Sequence, residues 1–414
     1  MSWAIWAVAA TATAGVILRP FGWPEFIWAA AGAVLLVVSG LLPVSAALAG
    51  VGRGSDVYLF LAGMMLLSEL ARQEGLFDAV ATAAVRMARG SAARLFTLVF
   101  AVGTLVTIFL SNDATAVVLT PAVAAVARTA RAGQPLPYLF TCAFIANAAS
   151  FVLPISNPAN LVMYGSHMPA LLHWLARYTL PSLLAIITTY AVLRWAERRP
   201  LRQQISADVG GATLAAGGRM AACGIAGTAA ALLIASSAGI DLGAPTFAAG
   251  VVTAILVTIR SRNGTREALR GISWGVLPLV AGLFVLVQAL QTTGAIDQLT
   301  GLLHRMMQQS VSLGAWSSGI VLALGCNLVN NLPAGLIASR VLQAAHAPEP
   351  VRAAALIAVD LGPNLSVTGS LATILWLTAL KREGLHIGAW RFLKLGLLVM
   401  PPALIAALAA LAVE

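Results

Sequence analysis

The chain has 414 residues, 59% apolar and only 10% charged, with a formal net charge of +10 and a mean hydropathy of +0.89. No soluble globular or disordered class has this balance, and at about 20 residues per helical span little chain remains for a soluble catalytic or nucleotide-binding domain. The runs 26–49, 213–237 and 395–412 are near-continuous and of helix length, unlike the short alternating segments of an outer-membrane barrel, so an all-α polytopic membrane protein with about ten spanning helices is expected.

From the N-terminus, residues 3–18 read as a retained span, because no basic residue precedes Arg19 and the positive region of a cleaved leader is missing. The runs 26–49 and 57–71 follow. Basic clusters stand at Arg86, Arg89 and Arg94; at Arg128 and Arg131; at Arg194, Arg198, Arg199 and Arg202; and at Arg260, Arg262, Arg266 and Arg270. Placing all four in the cytoplasm of an inner-membrane protein satisfies one topology. The first three runs cross successively, 178–193 returns inward, 213–259 goes out and back, and both chain ends face outward. In such a chain the positive charge reports topology rather than nucleic-acid binding. Trp23, Trp174, Trp195, Trp274 and Trp390 fall near span ends, where interfacial aromatics sit, while Trp3, Trp28 and Trp376 suit plain packing.

Residues 60–88 and 279–307 align at a constant shift of 219, with seven of 29 positions identical, among them Gly63/Gly282, Gly75/Gly294 and Asp78/Asp297. Asn112 pairs with Asn330 at a shift of 218, so a duplicated half is expected. With an odd number of crossings between them the two repeats are inverted. The chain then divides into peripheral N-terminal helices (1–50), a first repeat (51–200), a basic linker with a helical pair (201–270) and a second repeat (271–414).

Each repeat contains apolar stretches broken by polar residues. In the first, 95–110 and 114–127 flank Ser111-Asn112-Asp113, and in the second, 314–328 and 332–344 flank Asn330-Asn331. Both pairs read as re-entrant hairpins, with tips at 111–113 and 329–331, the second followed by Pro333 where a new helix can start. The segments NAASFVLPISNPAN (147–160) and DLGPNLSVTGSLAT (360–373) cannot continue an unbroken helix at low cost. They place broken helices over 137–165 and 352–380. Unwound backbone at membrane depth lines an enclosed cavity, and convergent tips and breaks are how inverted-repeat transporters hold a substrate.

Asp113 and Asp360 are the two carboxylates at breaks deep in apolar sequence, and are the candidate proton-coupling residues. The plainer alternative for Asp113 is a helix N-cap. Ser111, Asn112, Asn147, Ser150, Asn157, Asn330, Asn331, Asn364, Gly369 and Ser370 form the candidate substrate-binding set, with Asn160, Ser156, Thr368 and Thr373 nearby. About half of these amides are expected merely to satisfy freed backbone groups. The set is neutral, and the two lysines, Lys381 and Lys394, stand at no break. It therefore suits a small uncharged polyhydroxyl solute, whereas a dicarboxylate would recruit arginine, lysine, or several helix N-termini backed by cations. Glu69 ends an apolar run and is Gln288 in the second repeat, which places it at the lipid interface.

Cys142, Cys223 and Cys326 form no CxxC pair, and Cys142 and Cys326, near the breaks, read as small buried residues rather than metalloid ligands. No metal-ligand spacing joins His167, His173, His304, His346 and His386. HExxH does not occur, and the single GxSxG string, GISWG at 271–275, has no strand before it in this helical sequence, so no enzyme is indicated and no cofactor is expected.

The segments FLSNDATAVVLTP (109–121), FIANAASFVLPISNPANLV (144–162), NNLPAG (330–335) and DLGPNLSVTGSLATILWL (360–377) resemble the ArsB-type arsenite efflux permeases over nearly the whole chain. The tip motif is also similar to that of sodium-coupled dicarboxylate symporters. The resemblance implies export of neutral arsenite or antimonite hydroxide in exchange for protons, in some members with a soluble ATPase on the cytoplasmic face. A homodimer follows by analogy alone. The family often has an acidic residue where this chain has Asn147, which places coupling on Asp113 and Asp360. The alternative reading is a sodium-coupled importer of small carboxylates on the same fold.

Overall fold

The computed structural model describes residues 2–165, 168–206, 214–260 and 265–411. His167, Arg262 and the first residue of the 213–259 run lie outside them. Among the described residues the regular structure is helical. The first half runs α1 (Ser2–Leu18), α2 (Glu25–Val38), α3 (Val44–Gly52), α4 (Ser55–Gln73), α5 (Leu76–Ala88) and α6 (Ala92–Phe109). It continues through α7 (Asn112–Ala114), α8 (Thr120–Thr129), α9 (Leu136–Ala148), α10 (Pro158–Tyr164) and α11 (Leu171–Ala196). The second half runs α12 (Ala216–Ser237), α13 (Gly243–Arg260), α14 (Thr265–Gly271), α15 (Val276–Gln291), α16 (Ala295–Gln309), α17 (Val311–Val329), α18 (Asn331–Ala344), α19 (Glu349–Leu361), α20 (Leu371–Arg382) and α21 (Ala389–Leu411).

By length and composition, five of the described helices can each cross a membrane alone, and two bent pairs raise the number to seven. The five include α6 and α17, the first arms of the two expected hairpins. The run 26–49 is not one helix. Gly40 takes a left-handed φ of 72° and Pro43 starts α3, so the chain turns between α2 and α3, and α3 joins α4 at a 47° bend. The uniformly apolar sequence conceals this corner. Pro181 lies inside α11 and Pro401 and Pro402 inside α21, and these two long helices pack against each other.

The matched glycines do matched work. Gly75 and Gly294 both adopt left-handed φ, 70° and 78°, at the starts of α5 and α16, where an L side chain would be strained. A Cβ on Gly63 would stand 2.5 Å from the Thr246 carbonyl oxygen, and one on Gly282 would stand 2.7 Å from the Ala29 backbone. These glycines let α4 cross α13 and α15 cross α2 at backbone contact. The helical pairs are thereby exchanged: α1 and α2 pack on α15, and α12 and α13 pack on α4. The segment expected as peripheral (1–50) and the one expected as a connector (201–270) are each built into the opposite half.

Trp174 is a correction to the interfacial set. It is fully buried, its Nε1 donates to the Phe151 and Val152 carbonyls at 3.2 Å, and its ring lies 4.5 Å from that of Tyr178. Trp23, Trp195, Trp274 and Trp390 are exposed.

Candidate functional site

Helix α6 ends at Phe109, and after the extended residue Ser111 the chain restarts as α7, passes through a π-helical turn at Thr115–Leu119 and continues as α8. The π turn is held by Thr120 Oγ1 donating to the Thr115 carbonyl at 3.3 Å, with the Thr115 hydroxyl 2.8 Å from that of Thr107. Such turns recur at functional sites, and nothing in the sequence TAVVL announces one. The second tip turns at Asn330, a non-glycine residue with φ 76°.

Each break starts a new helix, and each start is capped by a residue of the candidate set. The hydroxyl of Ser111 accepts from Ala114 N at 3.2 Å, Asn157 Oδ1 from Ala159 N at 3.0 Å, Asn330 Oδ1 from Leu332 N at 3.4 Å and Ser370 Oγ from Thr373 N at 3.1 Å. These four side chains satisfy donors that helix starts leave open. Asp113 is therefore not the cap at its tip. It is the second residue of α7, within the first turn, its own N–H taken by Asn112 Oδ1 at 2.9 Å.

The breaks of the two halves are joined directly. Asn147 Nδ2 donates to Asn364 Oδ1 at 3.0 Å, and Asn364 Nδ2 donates to the Phe144 carbonyl at 2.9 Å. Asn157 Nδ2 donates to Asp360 Oδ1 at 2.6 Å, while the Ser150 hydroxyl donates to the Asn147 carbonyl at 2.8 Å. Asn160 Nδ2 donates to the Ser150 carbonyl at 2.9 Å. All of these side chains are buried, Asp360 completely. Among the described residues, Asp360 Oδ2, Asn147 Oδ1 and Asn160 Oδ1 accept no hydrogen bond.

The second tip is fastened to the 366–369 loop. Asn331 N donates to the Gly369 carbonyl at 2.9 Å, Asn330 Nδ2 to the Thr368 carbonyl at 3.3 Å, and Thr368 Oγ1 to the Asn327 carbonyl at 2.8 Å. Gly369 has no room for a side chain, since a Cβ would meet Pro363 Cα at 2.5 Å. The first tip faces a cavity of about 70 Å3 instead, lined by Ser111, Asp113, Pro158 and Leu375 with Phe60, Ser68 and Glu69 of α4. That volume admits only a few water-sized groups. Asp360 and the Asn147–Asn364 pair do not line it, so the structure places candidate residues on one cavity wall, in one closed network and in the fastening of the second tip to its loop.

Glu69 was expected at the lipid interface and is instead buried on the wall of this cavity. Arg72 holds it through Nε and Nη2 at 2.8 and 2.5 Å, Gln73 donates at 3.0 Å, and Gly271 leaves the carboxylate its space. Its i, i+3 spacing to Arg72 was the available signal.

Helices interrupted at paired breaks and cross-bonded through buried amides, in a chain with several span-length apolar helices, define a multi-pass helical membrane transporter. The chain belongs to the citrate transporter family, whose model matches residues 13–360. An arsenical pump membrane protein of Escherichia coli is 26% identical over 410 residues, covering 96% of both chains. A putative arsenical pump membrane protein of Bacillus subtilis is 24% identical, covering 93% of both. Among solved structures, the YdaH transporter of Alcanivorax borkumensis superposes with a TM-score of 0.57 at 17% identity, covering 89% of this chain and 86% of that one, a likeness of fold.

Proposed function

We propose that this protein exports trivalent arsenite and antimonite, as neutral hydroxides, across the inner membrane in exchange for protons. The observation that carries the reading is the match to arsenical pump membrane proteins along 96% of the chain. The chemistry of the breaks agrees with it: hydroxyls, amides and helix starts, with no lysine or arginine at any break. Such groups exchange hydrogen bonds with the hydroxyls of an uncharged solute without holding it by charge. Asp113 and Asp360 are the proton-coupling residues of this reading. Two inverted halves would move the hairpins and broken helices past the remaining spans in an elevator-type cycle. Both chain ends face outward. A soluble ATPase on the cytoplasmic face and a homodimeric assembly complete the reading by analogy.

Arsenite uptake into everted vesicles carrying this chain tests it, because uptake there corresponds to export. Accumulation driven by an inward-acid gradient and abolished by a protonophore is the expected result. A second reading draws on the four capped helix starts, whose dipoles favour anions. It is sodium-coupled import of a small carboxylate. Sodium-dependent citrate or succinate uptake, with no movement of arsenite, would replace the first reading with the second.

A further inference from the structure

A second cavity, of about 410 Å3, opens at the end of α4 remote from Glu69, walled by the corner between α3 and α4, the end of α10, α18 and the loop before α13. Arg53, Asp56, Asp241 and Arg340 line it, and among the described residues none of the four is ion-paired. Asp56 is occupied, its carboxylate accepting the Gly243 N–H at 2.6 Å at the start of α13. Arg53 Nη1 donates to Gln288 Oε1 at 2.5 Å, which leaves most of its fork free. Arg340 is half-buried and has no hydrogen-bond acceptor among the described residues, and the charge bearing on it is that of Arg53. The two guanidiniums share one cavity wall and keep free donors there, neither is ion-paired to Asp56 or Asp241, and an anion that accepts from both would hold them together.

We propose that Arg53 and Arg340 form a binding site for a phosphate-class oxyanion, arriving either as the free ion or as the phosphate of a lipid headgroup. The planar forks match tetrahedral oxygens two at a time, which an ammonium does not do. Arg340 belongs to the second arm of the second hairpin, and Arg53 to the α3–α4 corner, which packs on α15. A bound oxyanion therefore ties that hairpin arm to its neighbours.

The test is thermal unfolding of the purified, delipidated full chain in detergent, read with inorganic phosphate against chloride at matched ionic strength and pH. A parallel titration compares phosphatidic acid with diacylglycerol. An upward shift of the midpoint with either phosphate source, lost in Arg340→Gln and reduced in Arg340→Lys, is expected. A shift with inorganic phosphate identifies the free ion as a ligand, and one with phosphatidic acid alone identifies the headgroup. Arg53→Gln repeats the measurement should Arg340→Gln fail to elute as a single folded species. No shift from either source, or a shift kept in both glutamine variants, overturns the site. The readout is binding and not transport, so it stands apart from the export reading.

Discussion

At the scale of single residues, the two intramembrane carboxylates are not equivalent. Asp113 lines a cavity opposite Glu69, whereas Asp360 is sealed in a network with Asn157 as its hydrogen-bond donor. Asp113→Asn keeps the shape and leaves the Ser111 cap intact, so export in everted vesicles is expected to lose its dependence on the proton gradient while yield and melting temperature stay at the wild-type level. Full gradient-driven export by that variant removes Asp113 from the mechanism. Asn157→Ala strips Asp360 of its donor and α10 of its cap. Leaving a buried polar group unsatisfied costs about 1–3 kcal/mol, more when it is charged, and a lost cap about 1 kcal/mol. A lowered midpoint in detergent melting is the expected outcome, largest where Asp360 is ionised.

At the scale of elements, the four breaks were legible because proline, glycine and clustered amides interrupt apolar sequence, and each begins a helix within a few residues of the expected place. Other features were not. The corner at Gly40 to Pro43 lies within a run whose hydropathy hides it, and the π turn after the first tip has no compositional mark. Glu69 was misplaced because one charge at the end of a run looks interfacial until packing from α14 closes over it. The function of half the amides was legible only in outline: Ser111, Asn157, Asn330 and Ser370 bond first to their own helix starts. Gly63 shows what an identity between halves can mean physically. A branched side chain there meets backbone rather than a yielding side chain, so Gly63→Val is expected to cost roughly 1–3 kcal/mol as an overpacked crossing, seen as reduced folded yield.

At the scale of the whole molecule, each half lends its leading helical pair to the other. Two chains ending and beginning in the 207–213 region, outside the described residues, are therefore expected to assemble into a working protein when expressed together. Either half alone would show its unpaired α2 or α13 face to lipid or to proteases. Co-purification of the halves through a tag on one of them checks this, and two halves that fold separately without associating count against the exchange.

The exchange also sets an order of events during synthesis. About 240 residues separate the end of α2 from the start of α15, the helix it packs on. At about 5–20 residues per second that interval is about 10–50 s, during which the first pair sits in the bilayer without its final neighbour. The small residues Ala29 and Gly32, buried in the finished protein, are exposed for that time to any other helix able to approach closely. The waiting period, rather than the stability of the completed fold, is then the stage at which a chaperone or a membrane protease decides how much transporter reaches the membrane.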